Sequence, residues 1–402
     1  MSLEKITNLI YHFGKKLTSI QRNIYENLDK RESYLKSFPE PKTSLERSYF
    51  QYLCQYNEYS GARLLLNLFC IPVFFLISAK ILYDCLLIKN RYSRSFEPKE
   101  CIAILDLDEE IIPEVLIKKY GRPVYFPLRG VIFFDQQVLN IYYQAIMKYW
   151  HEPHFIIKII LRLGRYAELT TKTQCKIIIA SAEYSFASSI LTDFCEKKSI
   201  KHINVMHGEK VVNPVDAFCG FHEFFVWDKH YISIFTALRA KVEEYAVAKP
   251  LMLNKIIFNE TQQIKYDFTY YLGWEFTHTD SINIKKSMEV LVKNGYRVCV
   301  RMHPRYGERA KIEEIFDGFQ IEFPNEVNMM ESLEATHAVI GLLTTVFWHA
   351  EELGRPIIID DVSNPDFYKK LFNIRYLWIS KTHSRLSLLK IAQHESTLTK
   401  SA

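Results

Sequence analysis

The chain has 402 residues, 48% of them apolar and 24% charged, with a net charge of +5 and a pI near 8.5. That composition is globular. It excludes a disordered or collagen-like chain, and its mild basicity suits anionic substrates or an anionic membrane surface rather than dedicated nucleic-acid binding. The length predicts two domains, and the eight cysteines, none in a C-x-x-C pair, predict reduced, buried thiols in a cytosolic compartment.

Residues 1–100 read as a helical, membrane-associating extension. Leu3, Ile6, Ile10, Phe13 and Leu17 recur at helical spacing and form one apolar face. His12, Lys15 and Lys16 interrupt that run, which argues against a signal peptide. Pro39-Glu40-Pro41 breaks the pattern, and a second helix is expected from about Ser44. Residues 64–88 form the most apolar stretch. Its uncharged part, 64–79, falls short of the roughly 20 residues of a clean bilayer span. Lys80 and Asp84 lie one helical turn apart, and Arg63, Lys89, Arg91 and Arg94 flank the run. A helix lying in the membrane interface is the first expectation, ahead of a buried core helix and a true span.

From 101 to 227, short apolar strands alternate with helices. Strands are expected at 101–105, 123–126, 176–180, 202–206 and 224–226, and helices near 136–149, 153–170 and 184–198. Fully apolar strands separated by helices imply a parallel sheet covered on both faces. Residues 228–264, with Pro250 and little periodicity, read as a linker. The alternation restarts over 265–380, a second domain, with strands at 268–272, 296–302, 319–323, 338–342 and 356–360. Residues 381–402 are a tail. The fold class is therefore α/β, two Rossmann-like domains facing a cleft, with a helical N-terminal extension.

Three motifs sit at the carboxyl ends of expected parallel strands, where such sheets bind ligands. In Arg301-Met302-His303-Pro304-Arg305, an imidazole between two guanidinium groups can stabilise a departing phosphate. Thr344-Thr345, followed by a helix, offers two hydroxyls and open backbone N–H groups as an anion cradle; a plain helix cap is the alternative. In Met206-His207-Gly208-Glu209 the glycine allows a tight turn, and His207 or Glu209 can act as a general base. Ser181-Ala182-Glu183-Tyr184-Ser185 also ends a strand. Glu183 and Ser185 are candidates for the acceptor side, although a helix cap with a first-turn carboxylate explains them equally well.

The order His-Gly, then His-Pro, then a hydroxyl pair followed by Val-Phe and Gly-x-Pro with an apolar strand, resembles bacterial surface-polysaccharide glycosyltransferases of the GT-B type. Over residues 175–380 it is similar to sialyltransferases and polysialyltransferases that use CMP-sugars, to CDP-glycerol glycerophosphotransferases, and to capsule Kdo transferases. The resemblance implies an inverting, metal-independent transfer of a CMP-activated acidic sugar (sialic acid, a related nonulosonate or Kdo) to a glycan or lipid-linked glycan. The place would be the cytoplasmic face of the inner membrane, with no nucleic-acid partner and no cofactor. It assigns His303 to the His-Pro motif and Thr344 and Thr345 to the phosphate-binding hydroxyl pair, with Arg301, Pro304 and Arg305 beside them. No Asp/Glu-Asp/Glu-Gly triplet of the polysialyltransferases is present. His207-Gly208 looks instead like the His-Gly of the glycerophosphotransferases, with Glu209 a rival base, and His349 stands where those enzymes carry an Asp.

Two other readings stay open beside this one. CDP-polyol transfer keeps the fold and changes the reaction. A non-catalytic, membrane-associated assembly protein would keep only a degenerate scaffold. Asp106-Leu107-Asp108 matches the D-x-D pattern that holds a divalent cation on a diphosphate donor, but Glu109-Glu110 extend it into an acidic turn. The remaining histidines show no metal-ligand spacing.

Overall fold

The computed structural model describes residues 28–56, 60–87, 100–104, 109–126, 133–254, 263–273, 278–304, 308–381 and 384–389. The apolar face at 3–17, the D-x-D loop at 106–108 and Arg305 lie outside the described residues. The chain divides into two compact units, Met1–Leu251 and Met252–Ala402.

The first unit holds six parallel strands: β1 (Cys101–Ile104), β2 (Val124–Phe126), β3 (Ile177–Ala180), β4 (Lys201–Val205), β5 (Gly220–Val226) and β6 (Lys241–Val247), in the order β2-β1-β3-β4-β5-β6. Eight helices accompany them: α1 (Leu28–Ser37), α2 (Ser44–Tyr56), α3 (Ser60–Leu87), α4 (Glu114–Tyr120), α5 (Gln136–Tyr149), α6 (Pro153–Thr173), α7 (Ser188–Glu196) and α8 (Lys229–Ala237). The central strands are buried on both faces, so their sequences are continuous apolar runs rather than alternations. Pro153 sits in the first turn of α6, where a missing N–H costs nothing, and Gln174 closes it in the left-handed conformation. The chain winds from β1 to β2, then restarts at β3 on the other side of β1. The crevice where strand order reverses therefore lies at the β1/β3 carboxyl ends.

Three expected boundaries move, one of them at the tail expected over 381–402, where Ser384 and Arg385 pair with Ile358 and Ile359 and Leu386 is fully buried. The N-terminal helices are not a separate extension: Leu45, Tyr52 and Ile81 belong to the same apolar core as α5, α6 and α7. Arg31 donates to the Val212 carbonyl at 2.7 Å, and Arg47 to that of Arg239, which ties these helices to the sheet's far end. The expected linker 228–264 is also part of the fold through α8 and β6. β6 is a half-exposed edge strand, Lys-Val-Glu-Glu-Tyr-Ala-Val, whose charged residues hid it among loop sequence. A one-turn helix, α9 (Leu251–Asn254), spans the boundary between units.

The second unit repeats the architecture with β7 (Tyr266–Tyr271), β8 (Val298–Arg301), β9 (Gln320–Glu322), β10 (Thr336–Gly341), β11 (Ile357–Ile359) and β12 (Ser384–Arg385). Their order is β12-β11-β10-β7-β8-β9, again all parallel. Helices α10 (His278–Lys293), α11 (Arg309–Ile315), α12 (Met329–Glu334), α13 (Val346–Glu352), α14 (Pro365–Asn373) and α15 (Leu377–Ser380) connect them. Asn328 and Glu331 form a reciprocal capping box at the start of α12. Strand order reverses between β7 and β10, so this unit's crevice lies beside the loop that carries Thr344 and Thr345. Both units are thus Rossmann-like α/β sheets.

Candidate active site

In the first unit, the loops after β3 and β4 lie side by side because those strands pair in register. The β4 loop turns at Gly208, whose φ of +70° is the left-handed region that a side chain would strain. That turn presents His207, whose side chain is 44% exposed. The Met206 carbonyl just before it accepts a hydrogen bond from the Trp227 indole at 3.0 Å, which fixes the strand end.

Behind the imidazole is a buried carboxylate. Glu183 is fully buried, and its Oε1 lies 3.0 Å from His207 Nδ1 and 2.9 Å from Lys210 Nζ. The one carboxylate oxygen thus faces both the imidazole and the ammonium. Asn204 Nδ2 donates to Glu183 Oε2 at 3.0 Å, and its Oδ1 accepts from the Ala182 N–H at 2.7 Å. Gln51 of α2 donates to the Glu183 backbone carbonyl at 2.9 Å.

Burial pushes the Glu183 carboxyl up, but the Lys210 charge and then His207 overcome it and hold it well below the usual carboxylate range. Burial would lower the Lys210 ammonium, yet Glu183 and Asp216 hold it well above its ordinary value. Asp216, buried beside them, is pushed up by desolvation. An anionic carboxylate can only accept at Nδ1. It therefore favours the tautomer with the proton on Nδ1 and the lone pair on Nε2, the nitrogen able to take a proton. Ser181 Oγ, 2.8 Å from the same Nδ1, helps hold the ring, and the exposed Tyr184 ring stands edge-on to it with centroids 5.3 Å apart.

The expected residues separate accordingly. Glu183 does not stand where an acceptor-side residue would: it is fully buried, and its carboxylate lies behind His207. Ser185 lies in the turn before α7, its N–H bonded to the Ala182 carbonyl. Glu209 is half-buried and accepts from the Tyr231 hydroxyl at 2.7 Å. Sequence reasoning missed Lys210 and Asn204. The signal for Asn204 was an amide next to the carboxyl end of its strand, just before the His-Gly turn; for Lys210 it was a lysine immediately after that turn.

In the second unit, His303 and Pro304 follow β8, half-buried and exposed respectively. Arg301 is not the phosphate ligand expected. It is 3% exposed, and its guanidinium pairs with Glu322 at 3.2 Å and donates to the Val327 carbonyl at 2.8 Å. Arg301 and Glu322 are register partners on adjacent strands, so this is a cross-strand pair within the sheet.

Thr344 Oγ1 accepts from the Val346 N–H at 3.2 Å, capping α13, while Thr345 is exposed. Gly341, at the end of β10, leaves no room for a side chain: a Cβ there would meet Phe347 and Thr344 at 3.3 Å. His349 is held below its ordinary pKa by burial, and its Nδ1 has no hydrogen-bond partner among the described residues. The loops after β8 and β10 flank β7 on one edge of one sheet, roughly 10 Å apart across two strand spacings. Among the described residues no group of three or more His, Cys, Asp or Glu is placed to hold a metal ion.

No protein-family model matches the chain, and no curated protein matches it. Solved structures resemble it at low identity. The UDP-N-acetylglucosamine 2-epimerase from Rickettsia bellii shares 10% identity over 65% of this chain and 79% of its own, with a TM-score of 0.40. The lipopolysaccharide outer core galactosyltransferase WaaB shares 12%, covering 65% and 80%, at 0.38. The wall teichoic acid polymerase TagF, as its H444N variant, shares 11%, covering 73% and 79%, at 0.37. At such scores the likenesses carry no argument about function.

Proposed function

We propose that the protein is a glycosyltransferase of the GT-B type that moves a CMP-activated acidic sugar, sialic acid or a relative, onto a surface glycan. The observation that carries the reading is His207 at the carboxyl edge of the first sheet, half-exposed in front of the buried Glu183–Lys210 pair. A base needs an accepting nitrogen facing substrate and a fixed tautomer, and this arrangement supplies both. Glu209, already engaged by Tyr231, is the weaker candidate. In this reading the acceptor hydroxyl gives its proton to His207 Nε2, and its oxygen forms the new bond to the anomeric carbon. The bond from that carbon to the CMP phosphate breaks, and its electron pair leaves on the phosphate oxygen.

The second unit binds the donor. Thr345, the N–H groups around it and His303 meet the CMP phosphate, while Arg301 stiffens the sheet beneath them. No cation is required in this reading, and the glycan or lipid-linked acceptor places the enzyme on the inner face of the cytoplasmic membrane.

CDP-polyol phosphotransfer is the second reading. It is favoured by the His-Gly turn with its histidine base, in place of the acidic triplet of polysialyltransferases. A thermal-shift screen with CMP, CDP, UDP and GDP, followed by CMP release from CMP-sialic acid and CDP-glycerol, separates the two. A ligand at a hundred times its Kd stabilises by about 2.7 kcal/mol. Stabilisation by CMP and turnover of CMP-sialic acid are expected. Turnover of CDP-glycerol alone would establish the second reading, and binding without turnover of either would leave a scaffold protein.

A further inference from the structure

Helix α3 is the longest described helix, and an 18-residue window within Arg63–Asp84 is apolar enough to cross a bilayer, with a mean hydropathy of 2.2. A core helix of that character would be enclosed, yet only 11% of that window is buried. Leu64, Leu68, Phe69, Phe75 and Leu76 all stand in solvent, Phe69 at 77% and Leu76 at 72% exposure. A contiguous apolar surface of this kind marks an interaction site.

The opposite face of α3 is fastened to the first unit along its length. At one end Glu152, at the start of α6, accepts from Arg63 Nε at 2.9 Å and from Asn67 Nδ2 at 2.6 Å. Asn67 Oδ1 accepts from the His154 N–H at 3.0 Å. In the middle Phe74 and Ile77 pack on the α5–α6 core, and the Ser78 and Tyr142 hydroxyls are hydrogen-bonded. At the far end Ile81 is fully buried, and Asp84, itself buried, pairs with Lys80 at 2.8 Å. A rise of about 1.5 Å per residue makes this stretch as long as a bilayer core is thick. For α3 to stand across a bilayer, these polar contacts would have to break or follow it into hydrocarbon. Lying flat costs neither.

The flank of that face is basic. Lys158, Arg162 and Arg165 repeat at i, i+4 and i+7 on α6, exposed or half-exposed, and none is in an ion pair with a described residue. Lys158 is near enough to α3 for its charge to act on the Cys70 thiol. On α5, whose Tyr142 touches α3, Tyr143 and Met147 are exposed, as is Trp150 just past its end. Apolar side chains bordered by cations and amphipathic aromatics complement acyl chains bordered by anionic headgroups.

We propose that α3 is an in-plane anchor: it seats the first unit on an anionic lipid bilayer, with the Leu64–Leu76 side among the acyl chains and the α6 cations at the headgroups. The inference rests on α3 and the α5 and α6 residues beside it, so it stands or falls separately from the transfer reaction.

The test is flotation of the full chain, carrying an N-terminal protease-cleavable tag, with vesicles of phosphatidylcholine alone or with 30% phosphatidylglycerol (about one lipid in three, a usual anionic load). Binding is expected to need the anionic lipid and to weaken in high salt. Each cation removed in Lys158→Gln, Arg162→Gln and Arg165→Gln should weaken partition by roughly fivefold. Phe69→Ser with Leu76→Ser should abolish binding while leaving the melting temperature unchanged, because both side chains are in solvent. The tag should remain open to external protease. A protected tag would show a span. Equal binding to neutral vesicles would remove the α6 cations from the account. A soluble dimer that Phe69→Ser and Leu76→Ser dissociate would make a second copy the occupant. Each of these overturns the proposal, and failure of flotation leaves the CMP-sialic acid assay to judge the enzyme reading.

Discussion

The two sheet edges use charge in opposite ways. In the first unit the charged groups are behind the candidate base: Glu183 and Lys210 are buried, and only His207 reaches solvent. In the second unit the one described arginine of the motif is buried within the sheet, and the groups left at the edge are hydroxyls, N–H groups and an imidazole. A buried charge pair fixes an orientation at the cost of desolvation, which suits a group that must hold one tautomer. An edge of hydroxyl and N–H donors suits a ligand that brings its own negative charge and must leave again. Under the proposed function, chemistry falls to the first edge and phosphate binding to the second.

The sharpest break falls on His207. His207→Ala should lower the transfer rate by about 10²–10⁴ with no change in melting temperature, because the ring is half-exposed. Lys210→Met comes next. It leaves Glu183 buried without its principal counter-charge and should destabilise the fold by about 3–5 kcal/mol in a denaturant titration. The exposed Arg309, paired with Glu313 at 2.8 Å, can be replaced by Met in the second unit with no detectable change.

Acid tests the same buried pair. The Glu183 carboxyl is held below its ordinary value of 4.5, so its contribution to stability is complete above that pH and is lost as the pH falls below it. The acid-side loss of stability should be shallower in Glu183→Gln. A smaller effect is expected at the second edge: Thr344→Ala with Thr345→Ala should weaken CMP binding by about tenfold, or 1.4 kcal/mol. The smallest is no effect at all. Transfer should survive chelation by EDTA, whereas loss restored by Mn²⁺ would bring back Asp106 and Asp108.

Much of both sheets was legible because a doubly covered strand announces itself as an unbroken apolar run, as in Ile177-Ile178-Ile179. Helix α5 lies where its periodicity put it, at Gln136–Tyr149. β6 escaped because an edge strand alternates exposed charges with half-buried residues and looks like a loop. The helix expected from about Ser44 showed no partner in the sequence, because the core that Leu45 and Tyr52 join is built by α5, α6 and α7, far along the chain. The site was legible only as types of residue at strand ends. Arg301 and His303 are two residues apart, yet one faces Glu322 inside the sheet and the other lies on the loop. Sequence spacing does not carry that cross-strand register. Glu183 and Lys210 likewise meet only because β3 and β4 are neighbours.

The most direct test sets His207→Ala beside the Thr344→Ala and Thr345→Ala double variant. CMP affinity is measured by calorimetry, and transfer from CMP-sialic acid to a panel of glycan acceptors is measured in a single turnover. The account predicts that His207→Ala binds CMP as the parent does and stays slow at saturating donor. The double variant should bind CMP weakly and recover most of its rate as donor is raised. The reverse pattern, with His207→Ala losing CMP and the threonine variant losing rate at saturation, would contradict the division between the two edges.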